Sequence, residues 1–358
     1  MTATTRLRAL LRIAVTVIIV VGIFVGVLPR IASYSDVWAT IADMTWLEVT
    51  SLLVIAGWNV VTYWFVMIAA LPGLRFGQAA VVNQASTAIS NTLPAGGAVG
   101  VGVTYAMYSS WDFTPGAIAR SVVVSGVWNN FMKLGFPVAT LGLLAIEGDV
   151  SVALVLAALF GVAVLVASVV VFALLLRSDA LARAIGDRAQ RLVSRVRRWF
   201  GRAPVTSWGE SASRFRTDTI DLVGDRWRFL TVSSFVSHLS LAIVLLTALR
   251  HVGIDQDTVS WIAVLASFAF VRLISALPIT PGGVGVVELG YVAALTIGLD
   301  ELHRASVVAA VLVFRFLTYF LPIPVGLVAY LYWRANSERR RALGIDSRIS
   351  ESVQGDTR

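Results

Sequence analysis

Long apolar runs separated by short polar joints dominate the chain, and six of them reach crossing length. They cover approximately 12–30, 47–70, 116–146, 150–176, 229–250 and 305–333, against the roughly 20 apolar residues that a bilayer-spanning helix needs. Two more apolar stretches, 76–110 and 258–298, follow another pattern. Each is interrupted near its middle by proline and glycine, which leaves two arms shorter than a usual span. Segment 181–200 shows a third pattern. Leu181, Ile185, Leu192, Val196 and Trp199 recur on one helical face, with Arg183, Arg188, Arg191, Arg195, Arg198 and Arg202 around them. A basic amphipathic helix of this kind lies on an anionic lipid surface, here over 181–202.

The two interruptions repeat each other. The first reads Leu93-Pro94-Ala95-Gly96-Gly97-Ala98-Val99-Gly100, the second Leu277-Pro278-Ile279-Thr280-Pro281-Gly282-Gly283-Val284-Gly285. Matching Gly100 to Gly285 gives an offset of 185, and the same offset takes Pro137 to Pro322. Proline removes a backbone donor and clashes with the preceding turn, and glycine reaches backbone conformations closed to other residues. Pro94, Gly96, Gly97 and Gly100 are therefore expected to stop one helix and start another, as are Pro278, Pro281, Gly282, Gly283 and Gly285. A plainer reading is that the glycines only let helices pack closely. A matched pair of breaks in two halves of an apolar chain points beyond that, to a transporter's substrate site.

Arginine placement orients the runs. The N-terminal segment holds Arg6, Arg8 and Arg12, the linker 177–228 holds twelve arginines, and the C-terminal tail holds six more. The opposite joints hold only Arg30, Arg250 and Arg304, beside many acids. By the positive-inside rule both termini and the linker face the cytoplasm. Run 12–30 is too long for a signal-peptide core and is read as a retained helix. Stretch 76–110 must then begin and end inside, and 258–298 must begin and end outside. The expected fold is an all-α polytopic membrane protein of about six full transmembrane helices plus two re-entrant helical hairpins. The hairpins enter from opposite faces in an inverted repeat, 47–146 and 229–333, within one membrane domain over 1–335. The tail 336–358 is expected to be disordered. Ten full crossings would satisfy the same arginine count.

Composition agrees: 57% of residues are hydrophobic and 14% charged, where a soluble domain carries about 25% charge. There is no cysteine, which excludes disulfides and thiol chemistry. His238, His251 and His303 have no metal-ligand spacing, and no HExxH, P-loop or GxSxG motif occurs. No cofactor, metal or nucleic-acid partner is expected, and no catalytic constellation is recognisable.

Few charges sit deep in apolar segments: Lys133, Arg272, Glu288 and Arg315. Such charges are expensive and usually functional. Arg272 and Glu288 flank the second break and are placed to pair across its arms. The offset carries Arg315 to Asn130, beside Asn129 and near Lys133. Asn91, with Asn83, Gln84, Ser86, Thr87 and Ser90, gives the first hairpin a polar stripe. The expected site is a cavity in which Arg315, Arg272 and Lys133 hold a lipid phosphate, Glu288 tunes those cations, binds a cationic headgroup or carries a coupling proton, and Asn91, Asn129 and Asn130 complete the wall. A structural ion pair between Arg272 and Glu288 remains an alternative.

The run Leu277 to Glu288, with its Pro-Gly-Gly-x-Gly-x-x-Glu pattern, and the earlier Asn91 to Gly100 resemble the lysylphosphatidylglycerol synthase/flippase transmembrane family, over approximately residues 10–335. The resemblance implies a flippase that moves an anionic or lipid-linked substrate, an aminoacyl-phospholipid or a polyprenyl-phosphate-linked sugar, between leaflets. In two-part members of that family a separate soluble domain performs aminoacylation. This chain shows no such domain, so aminoacyl transfer is not expected. Its first break also departs from its second: Ala98 replaces a glycine, and Val103 stands where the offset puts Glu288. The competing classes are a non-catalytic membrane partner of a glycosyltransferase or cell-envelope lipid enzyme, and an enzyme acting on a lipid phosphate.

Overall fold

The computed structural model describes residues 33–93, 96–147, 152–199, 203–204, 206–275 and 280–342. The crossing expected at 12–30, the break residues Pro94 and Pro278, and the tail from 343 lie outside them. Among the described residues the secondary structure is helical, with no strand. The helices are α1 (Tyr34–Ala42), α2 (Trp46–Ala70), α3 (Phe76–Thr92), α4 (Gly96–Ser109), α5 (Pro115–Glu147), α6 (Val152–Arg177) and α7 (Asp179–Trp199). They continue with α8 (Trp208–His251), α9 (Trp261–Ile274), α10 (Val286–Leu295), α11 (Glu301–Arg315) and α12 (Pro322–Ala342). Because α12 runs to Ala342, the first residues of the expected disordered tail, 336–342, are helical.

Local sequence explains several of the boundaries. Thr45-Trp46-Leu47-Glu48 forms a capping box at α2, where Glu48 accepts the Thr45 N–H at 2.7 Å and the Thr45 hydroxyl accepts from Glu48 at 3.4 Å. Ser260 caps α9 by accepting the Ala263 N–H, and Asp300 caps α11 by accepting that of His303. Arg250 organises the loop that leads into α9, donating to the carbonyls of Ile254 and Asp255 at 2.8 Å each. Between α11 and α12 the chain forms a π turn over Phe316–Phe320, closed by Leu321 N–H to the Phe316 carbonyl at 2.8 Å. Pro322 follows directly. That wider turn accommodates its missing N–H and its ring, which in a regular α-helix would leave a carbonyl unpaired and crowded. Pro137, its offset partner, instead sits inside the continuous helix α5.

Four helical stretches are long and apolar enough to cross a membrane: Trp46–Ala70, Val155–Arg177, Trp208–His251 and His303–Asn336. The clearest is α6, which turns Leu156, Leu159, Phe160 and Val166 outward, more than half exposed each. A soluble protein does not leave so large an apolar surface to water.

The chain divides into two compact units. One comprises 1–64, 74–114 and 240–358, the other 65–73 and 115–239. In the first, a core of Leu245, Leu249, Phe268, Val308 and Phe314 packs the end of α8 with α9, α10 and α11. There α12 lies along α3, and α3 along α4. In the second unit Trp128 packs among Ala69, Ala70, Val124, Leu222 and Leu230 and donates to the Thr231 hydroxyl at 3.0 Å. Its α7 has the expected amphipathic form. Gly186 backs onto the Trp208 carbonyl so closely that a Cβ would lie 2.4 Å from it, while Leu181, Ile185, Leu192 and Trp199 on the opposite face are exposed. At its N-terminus the Ser213 hydroxyl and the Arg183 guanidinium hold the Asp179 carboxyl below the usual carboxylate range.

Candidate lipid site at the two hairpin turns

The polar stripe on α3 and the small residues of α4 make the first hairpin. A Cβ on Gly96 would meet the Ser90 carbonyl oxygen at 2.1 Å, and one on Gly100 would meet the Ser86 carbonyl at 3.0 Å. The pairs 90/96 and 86/100 run in opposite directions, so the arms are antiparallel with their backbones nearly touching. In the second hairpin, Gly290 of α10 packs against Val271 of α9, 3.2 Å from where its Cβ would lie.

The second turn is built differently. Gly282, Gly283 and Gly285 all hold positive φ, at 60°, 70° and 84°. That left-handed backbone is open to glycine and strained for other residues. It curls the chain so that the Gly283 N–H reaches the Thr280 carbonyl at 3.0 Å and the Thr280 hydroxyl reaches the Val284 carbonyl at 2.9 Å. The Gly285 N–H points at the start of α10, where Glu288 accepts it at 2.7 Å. A carboxylate in the first turn of a helix is favoured by the unpaired amides there.

Glu288 is buried, 1% exposed, and its second oxygen receives Arg315 Nε at 2.6 Å. The same guanidinium donates to the Gly282 carbonyl at 3.1 Å and stacks over the Tyr319 ring, 4.6 Å from its centroid. Tyr319 in turn bridges to the first hairpin. Its hydroxyl donates to the Asn91 carbonyl at 2.6 Å, and the Asn91 amide donates back to the Tyr319 carbonyl at 3.0 Å. Two polar links thus join the end of α3 to the π turn, and the π turn to the Pro-Gly-Gly turn.

Of the expected site residues, the structure brings Asn91, Glu288, Arg315, Gly282 and Gly285 into this one network. The expected pairing of Arg272 with Glu288 is not formed; Arg315 takes that carboxylate instead. Arg272 lies on α9 near Tyr63, Tyr291 and Arg315, and its Nε is buried without a hydrogen-bond partner among the described residues. Asn129, Asn130 and Lys133 lie on α5 in the second unit, with Asn130 exposed and the other two half-buried. Tyr319 escaped the sequence reading, although it stands four residues after Arg315, a spacing that places two side chains on one helical face.

Beside the π turn, α2, α3 and α12 enclose an apolar groove of about 530 Å³, lined by Val60, Trp64, Gln84, Leu317, Leu321 and Val325 among others. Gly326 seats α12 against the Gln84 carbonyl, where a Cβ would lie 2.0 Å away. Of the histidines, His251 contacts the Ser51 hydroxyl at 2.6 Å and His238 the Ser234 carbonyl at 3.0 Å. His303 sits at its own helix cap.

No curated protein matches the chain. The family model described as the lysylphosphatidylglycerol synthase TM region matches residues 10–326, a span that contains both hairpins, the Glu288–Arg315 pair and the π turn. The chain therefore belongs to the family of the lysylphosphatidylglycerol synthase transmembrane region.

Proposed function

We propose that the protein is a lipid flippase of the bacterial cytoplasmic membrane, moving an anionic or lipid-linked substrate between leaflets. The observation that carries this reading is the network from Asn91 through Tyr319 and Arg315 to Glu288 and Gly282. It couples the turns of two hairpins by bonds from side chains to main-chain carbonyls, so the hairpins can separate without unfolding any helix. An ion pair at 1% and 8% exposure is costly to build in an apolar environment, which argues for a role beyond packing. The arms of the second hairpin have 14 and 10 residues, or about 21 and 15 Å of helix. Both fall short of the roughly 30 Å hydrocarbon core, which supports a re-entrant arrangement.

In this reading the hairpins of repeats 47–146 and 229–333 are inverted copies. The substrate headgroup enters at Pro278–Glu288, and one acyl chain occupies the groove beside Leu317 and Leu321. Both termini and the α7 surface face the cytoplasm, with Leu181, Ile185, Leu192 and Trp199 immersed in the anionic leaflet.

Purified protein in liposomes, assayed for leaflet exchange of headgroup-labelled phosphatidylglycerol, aminoacyl-phosphatidylglycerol and polyprenyl-phosphate sugar, tests the proposal. The expected result is faster exchange of at least one of these than in protein-free vesicles. No acceleration of any of them sinks the flippase reading and favours a non-transporting partner of a lipid enzyme.

A further inference from the structure

Two arginines of the first unit, Arg272 and Arg315, lie deep in apolar helices and have opposite circumstances. Arg315 is fully engaged: one carboxylate, one carbonyl and one aromatic face surround it. Arg272 forms no ion pair among the described residues, and its Nε is both buried and unbonded. Its electrostatic neighbours are two phenols, Tyr63 of α2 and Tyr291 of α10, and the like charge of Arg315. Tyr108 of α4 joins the group through Tyr63. Tyr108 and Tyr291 are buried, at 3% and 1% exposure, and Tyr63 is half-buried.

This combination is unusual. A guanidinium in an apolar surround, with its Nε buried and no counter-charge, gives up hydration without recovering it. A second cation nearby worsens it. Phenol hydroxyls donate as well as accept, and a set of one guanidinium and three phenols holds no negative charge to offset the guanidinium. What it lacks is an anion with several oxygens. Arginine's planar fork matches a phosphate oxyanion, to which it donates two parallel bonds.

We infer that Arg272, with Tyr63, Tyr108 and Tyr291 around it, is a phosphate-binding site distinct from the Glu288–Arg315 pair. Arg315 is a positioning residue that holds the Pro-Gly-Gly turn, and Arg272 is the residue that meets the ligand. The site takes a phosphate oxyanion, borne either by a phospholipid headgroup or by free phosphate. Only the first source rests on the flippase reading. Four helices, α2, α4, α9 and α10, contribute to it, so a bound anion would tie both hairpins to α2.

The test is equilibrium binding to the full-length purified protein in detergent. The probes are inorganic phosphate, short-chain phosphatidylglycerol, and the matching diacylglycerol without phosphate, with thermal unfolding measured in parallel. The expected result is binding of phosphatidylglycerol, of inorganic phosphate or of both, and not of diacylglycerol. Binding of phosphatidylglycerol alone identifies a lipid headgroup, and binding of inorganic phosphate alone a free anion. Arg272→Met should weaken that binding at least tenfold while the Tm stays level or rises, because a charge without a counter-ion is removed from an apolar surround. Tyr291→Phe, which keeps the ring, should weaken binding several-fold. The inference is overturned if neither phosphate-bearing probe binds, or if both variants bind within twofold of the unmodified protein. Binding that depends on Arg272 in a protein that moves no lipid would remove the flippase reading alone. Lipid movement untouched by Arg272→Met would remove this site alone.

Discussion

The two hairpin turns use the same residues for different physical jobs. In the first, Gly96 and Gly100 are ordinary helical residues, and what matters is their missing side chain, which lets α4 lie against the backbone of Ser86 and Ser90. In the second, Gly282, Gly283 and Gly285 matter for their left-handed backbone, which presents the Gly282 carbonyl to Arg315 and the Gly285 amide to Glu288. Repetition of a motif therefore need not mean repetition of a mechanism. The first turn is a packing device, and the second is a main-chain framework that holds Arg315 and Glu288 in place.

The contrast is open to attack by mutation. The largest effect should come from Glu288→Ala, which strands Arg315 in an apolar interior. A loss of about 3–5 kcal/mol is expected for a broken buried pair, read by denaturant unfolding in detergent. The double variant Glu288→Ala/Arg315→Ala should lose much less than the sum of the two single variants. Next is Gly282→Ala. It meets both a positive φ and the Tyr319 ring, whose Cε2 lies 2.0 Å from the added Cβ. A loss of about 1–3 kcal/mol is expected from backbone strain alone, together with a weakened stacking contact at Arg315. Tyr319→Phe should cost about 0.5–1.5 kcal/mol, the worth of its bond to Asn91, and should loosen the first hairpin without disturbing Glu288. The smallest effect, of opposite sign, belongs to Gly97→Ala. Nothing lies within 4 Å of its added Cβ, so the helix should gain up to about 1 kcal/mol from propensity. A large loss at Gly97 would show that the first turn also needs backbone freedom, and the contrast between the turns would fall.

Much of this was legible in the sequence. Apolar run length marked α2, α6 and the final helical stretch, because crossing length is a direct consequence of bilayer thickness. The amphipathic α7 follows from local spacing. Deep charge marked Glu288 and Arg315 as candidate site residues. Their pairing was not legible, because Arg272 is nearer to Glu288 in sequence than Arg315 is, and only the folding of α11 beside α10 decides between them. The role of Tyr319 depends on a π turn, which periodicity at 3.6 residues does not reveal. The unlike backbones of Gly100 and Gly285 were also hidden. A glycine's φ is set by what surrounds it, though Val103 in place of a second glutamate already hinted that the halves differ.

The π turn has a further consequence as a matter of phase. One extra residue in a turn rotates everything downstream by about 100° relative to an uninterrupted helix. Upstream, α11 directs Val307, Val308 and Val311 into the core. Downstream, α12 directs Gly326 at the Gln84 carbonyl. A straight helix would aim only one of those two stripes correctly. Phe316–Phe320 works as a fixed angular adapter, and its length in residues sets which face of the last helix the first hairpin can meet.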